Sequence, residues 1–167
     1  ILKNSHHNFN IKFIRTLILL EKFEQAFEFS KDIWVEDEFF FEADLLLGLD
    51  SFISGDYFKA QKHFERLNKT SRYNLLVEDF LGPILIVWTK ASRGHEKASF
   101  NSLDKISDRY QNLKKIQNSF LQCYFDTLKT QVAFEQLINS EDRDYSRYDF
   151  FFANYLLSKN KNIKAEK

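Results

Sequence analysis

The stretch GLDSFISGDYFKAQKHFERL, residues 48–67, reads as two helices around a tight turn and carries two of the chain's four glycines, Gly48 and Gly55. The acids Glu36, Asp37 and Glu38 suit the N-terminal end of the helix that leads into it. Gly55 can take the left-handed conformation that stops a helix. Asp56 then caps the second helix, YFKAQKHFERL. Gly48 falls inside the first helix, where it costs about 1 kcal/mol relative to alanine. A helix accepts that cost where another backbone comes close, so the second helix is predicted to lie against Gly48.

The alanine of this second helix recurs. Ala26, Ala60, Ala98, Ala133 and Ala165 are separated by 34, 38, 35 and 32 residues, and thirteen positions before them stand Phe13, Leu47, Leu85, Phe120 and Phe152. A large residue on one helix facing a small one on the next lets the pair pack closely. The pattern therefore predicts Ala26, Ala60, Ala98 and Ala133 buried against Phe13, Leu47, Leu85 and Phe120. Repeats of this length are the mark of arrays in which each helical hairpin stacks on its neighbours.

At residues 47–64 the pattern resembles a tetratricopeptide repeat (TPR), whose period is about 34 residues. The resemblance rests on Leu47, Gly48, Gly55, Asp56, Tyr57, Ala60 and Phe64. It is weaker at Phe13, Phe23 and Ala26, and recurs in SRGHEKA (residues 92–98), with a turn read as one residue shorter. Beyond, little but the large–small pair is kept. The proline usual at the end of a unit is missing, and Ile14, Ile86 or Leu121 replaces the first-helix glycine in three repeats. The resemblance implies an all-α fold, a right-handed α-solenoid of TPR-like helix-turn-helix repeats. The array would cover residues 1–167 as a single unit, with repeats at about 7–36, 41–70, 75–108 and 113–140 and an incomplete fifth at 146–167.

Composition agrees with helices throughout. Hydrophobic residues make up 44% and charged residues 29% of the 167, a globular profile, while one proline and four glycines are too few to turn an all-β chain. Lys and Arg total 24, as do Asp and Glu; zero net charge argues against nucleic acid as the partner. The halves differ: residues 1–83 hold 14 acids and 10 bases, residues 84–167 hold 10 and 14. The longest apolar run, Phe80–Trp88, is nine residues, too short for a membrane span. With no Met, and a pattern that stops within a unit, the sequence reads as an internal piece of a longer protein, leaving its compartment open.

No catalytic, metal or cofactor site is expected. The four histidines, His6, His7, His63 and His95, lack the three- or four-residue spacing of a helical metal site. His63 is read as exposed and His95 as a turn residue. Cys123, the single cysteine, is read as a small buried hydrophobe. The acids from Glu36 to Asp44 are accounted for by a helix start, and Pro83 should kink a long helix or mark its start.

The resemblance implies that the first helix of each unit lines a concave face. It places Leu45, Leu49, Phe52 and Ile53 of the second repeat, with Ile84 and Val87 of the third, in a candidate groove for a protein or peptide segment. The positions at which the family grips acidic C-terminal tails hold Asn8 and Lys12, then Glu42 and Leu46, then Phe80 and Ile84, so only the first could contribute. The function expected is a non-catalytic protein–protein interaction scaffold. Alternatives are an accessory helical domain of a larger enzyme and a self-associating structural module. Helices are predicted over roughly 8–20, 23–34, 38–54, 57–68, 73–92, 95–107, 113–129, 131–139 and 146–159.

Overall fold

The structure of the protein, a computed structural model, describes residues 2–70, 76–140 and 144–161. Among the described residues there are nine α-helices and no strand: α1 Leu2–Leu19, α2 Phe23–Ile33, α3 Phe41–Ile53, α4 Tyr57–Thr70, α5 Gly82–Ser92, α6 Glu96–Asp104, α7 Gln111–Tyr124, α8 Thr130–Ile138 and α9 Asp149–Ser158. The chain divides into two compact units, Ile1–Ser102 and Leu103–Lys167.

In the first unit each helix from α1 to α5 packs on the next in sequence. Ile14 and Leu17 of α1, Ala26 of α2, and Ala43 and Leu46 of α3 form one buried cluster with Phe40. Ala60, Phe64 and Leu67 of α4 form another, against Leu45, Leu49 and Phe52 of α3 and Leu85 and Ile86 of α5. The second helix lies against Gly48 as predicted, but a side chain rather than a backbone comes close: a Cβ there would collide with the ring of the fully buried Phe64. Pro83 is the second residue of α5 and follows a five-residue π-helical stretch, Val77–Leu81. The Gly82 N–H reaches back to the Val77 carbonyl, and Pro83, which has no N–H, starts the regular helix.

In the second unit α7 packs on α8 and α8 on α9. The Phe120 ring meets Phe134 edge-on at 5.9 Å and Phe151 at 5.1 Å, and Phe134 stacks on Phe152 at 5.5 Å. Here α7 stops at Tyr124, five residues before the predicted end, and the predicted helix over 146–159 begins with a single 3-10 turn, Ser146–Tyr148.

The unit of repetition is clearest in the turns. Five residues with positive φ follow α1, α3, α5, α7 and α9: Glu21 (57°), Gly55 (82°), Gly94 (76°), Asp126 (49°) and Asn160 (56°), spaced 34, 39, 32 and 34 apart. After each, the next N–H returns to the carbonyl five residues back: Lys22 to Leu17, Asp56 to Ser51, His95 to Lys90, Thr127 to Gln122 and Lys161 to Leu156, at 2.8–3.0 Å. This is one helix-stop motif made five times, in three cases without glycine.

The turns also correct the alanine register. The fourth residue after the N-cap carbonyl is Ala26, Ala60, Ser99 and Ala133, each donating to the carbonyl of Lys22, Asp56, His95 and Lys129. Ser99 is fully buried and Ala98, predicted to be, is exposed. The third turn is not shortened, and the offset from Ala60 is 39 residues rather than 38. Phe13, the predicted partner of Ala26, is 38% exposed and meets Phe29 edge-on at 4.7 Å. A buried first-helix position stands seven residues before the first four positive-φ residues: Ile14, Gly48, Val87 and Ser119, the last bonding its Oγ to the Ala133 carbonyl at 3.1 Å; the fifth, Ala153, is half-buried. Ala165 lies outside the described residues.

Candidate functional site

The six residues predicted to line a groove separate into three groups. Leu45, Leu49 and Phe52 are half-buried, their inner sides packed on the Ala60–Phe64–Leu67 cluster. Ile53, in the last turn of α3, is 78% exposed. Ile84 and Val87 are buried in α5. The helical period explains the division, because Ile53 is one residue, about 100°, beyond Phe52.

A more apolar hollow lies in the second unit. Phe120 and Cys123 of α7 and Phe151, Asn154, Tyr155 and Ser158 of α9 line a cleft of about 430 Å3. Asp126 and Lys159 line it too, the Lys159 ammonium 2.6 Å from the Asp126 carboxylate and 5.9 Å from the Tyr155 ring centre. Cys123 is only partly buried. Burial first, and then the Asp126 carboxylate, push its thiol up from the ordinary 9.0, with Lys159 opposing.

The strongest concentration of buried charge was not legible as a site. Asp44 is fully buried, and three donors converge on its Oδ1: Trp34 Nε1 at 2.9 Å, His63 Nδ1 at 3.0 Å and Arg66 Nε at 2.8 Å. A carboxylate only accepts, so His63 carries its proton on Nδ1. The Arg66 guanidinium also donates to the Glu36 carbonyl and, at 2.6 Å, to the Glu38 carbonyl. It sits over the Trp34 and Phe39 rings at 5.0 and 5.1 Å. Arg66 thereby holds the whole α2–α3 connection, and Asp44 balances its charge.

His63, predicted to be exposed, is buried because it is part of this network. The neighbouring acids are engaged as well: Glu36 with Lys62 at 2.6 Å and Glu42 with Arg15 at 2.7 Å. A helix start accounts for Asp44's place in sequence and misses its role, which depends on residues as distant as Trp34 and Arg66. A signal was present in the composition of α4, where His63 and Arg66 are three residues apart and so share a face with Asp44's helix.

Among the described residues, no group of three or more His, Cys, Asp or Glu could hold a metal ion, and no helix is long and apolar enough to cross a membrane. The chain matches no protein-family model, no curated protein and no solved structure.

Proposed function

We propose that the chain is a TPR-like right-handed α-solenoid acting as a non-catalytic scaffold, which binds a protein or peptide segment along the faces of its first helices. The observation that carries this reading is the fivefold helix-stop turn, with one hydrogen-bond pattern at Glu21, Gly55, Gly94, Asp126 and Asn160. Hairpins repeated in this way stack, and stacked hairpins present a continuous ribbon of first helices as a binding surface. The deepest charged cluster holds the α2–α3 connection, which supports a structural rather than a catalytic use of Asp44, His63 and Arg66.

The surface available for recognition is apolar. Ile53, with the outer edges of Leu49 and Phe52, offers one contact region, backed by the buried Ala60, Phe64 and Leu67. The cleft walled by Phe120, Phe151 and Tyr155 offers another. An amphipathic helical segment whose apolar side chains insert at these places is the partner that fits.

Selection of amphipathic helical peptides from a displayed library against the full chain tests the reading. Enriched peptides should share apolar anchors at helical spacing, and Ile53→Lys or Phe151→Lys should lower their affinity at least tenfold with the circular dichroism spectrum unchanged. Failure to enrich any sequence, or enriched peptides indifferent to both substitutions, would defeat it.

A further inference from the structure

We draw no further inference here: the strongest candidate, the apolar stripe of α9 on which Phe150 and Leu157 stand exposed seven residues apart, carries none because nothing in the structure shows what covers it.

Discussion

The ring of Phe64 occupies the space that any side chain at position 48 would need: a Cβ on Gly48 would come within 2.7 Å of Phe64 Cδ1 and closer still to Cε1. Phe64 is fully buried between α3 and α5, so its ring has nowhere to retreat. Gly48→Ala gains about 1 kcal/mol in helix propensity and loses roughly 1–3 kcal/mol or more to overpacking. Net destabilisation is expected in urea unfolding. In a Phe64→Leu background the same substitution should cost less, because the smaller side chain vacates the contested space. Equal costs in both backgrounds would show that Phe64 is not the obstacle.

The register of the third hairpin offers a sharp pair of substitutions. Ala98→Leu alters an exposed position and should change stability by no more than about 0.5 kcal/mol. Ser99→Leu forces bulk into a fully buried one and should cost about 1–3 kcal/mol. Chemical denaturation of the two variants decides between the 38- and 39-residue offsets, since the reverse order would restore Ala98 to the interface.

These two positions also show what was legible. Gly48, Gly55, Asp56, Ala60 and Phe64 lie within seventeen residues and act through local geometry, so the hairpin could be read directly. The register slipped at Ala98 because alanine is a better match to alanine than serine is, although Ser99 is small enough to be buried once its Oγ bonds the His95 carbonyl at 2.8 Å. The turns at Glu21, Asp126 and Asn160 were hidden because their left-handed residues are not glycine. The Asp44 network was hidden because it joins the α2–α3 connection, α3 and α4 through contacts such as that of Arg66 with Glu36, 30 residues apart, and no periodicity encodes them.

Glu21 is the turn residue with most to gain from replacement. A non-glycine residue at positive φ carries a cost of about 1–2 kcal/mol, partly offset by the greater freedom that glycine has when unfolded. Glu21→Gly should therefore raise stability by about 0.5–1 kcal/mol. Gly55→Ala, at φ 82°, should lower it. Thermal unfolding of both variants would expose a wrong assignment if the two effects had the same sign.

Asp44 gives the fold an acid-sensitive joint. Burial pushes its carboxyl up, but hydrogen bonds from His63, Trp34 and Arg66 and the Arg66 charge more than reverse this, leaving it below the ordinary 3.8. The folded value lies under the unfolded one, so Asp44's stabilisation is complete above pH 3.8 and is lost as pH falls below 3.8 through the folded value. Asp44→Ala removes the buried carboxylate on which Trp34, His63 and Arg66 converge and should cost about 3–5 kcal/mol near neutral pH. Asp44→Asn should flatten the decline in unfolding free energy across the acid range. Parallel curves for the wild type and Asp44→Asn would mean that the carboxylate is not the titrating group.

Cys123 reports on the α7–α9 cleft from within. Its thiol is raised above 9.0, by burial and then by Asp126, so near neutral pH only a small fraction is thiolate and alkylation should be slow. Asp126→Asn removes the carboxylate and leaves Lys159 without its 2.6 Å partner, and both changes favour the thiolate. Alkylation by iodoacetamide should then run severalfold faster, with the rate profile shifted to lower pH. Because Cys123 is the chain's only cysteine, the measurement needs no other substitution. A peptide seated between Phe120 and Phe151 would cover the sulfur and slow the reaction in proportion to its occupancy. If a peptide instead binds with the alkylation rate unchanged, its contacts lie elsewhere, and the face carrying Ile53 becomes the place to look.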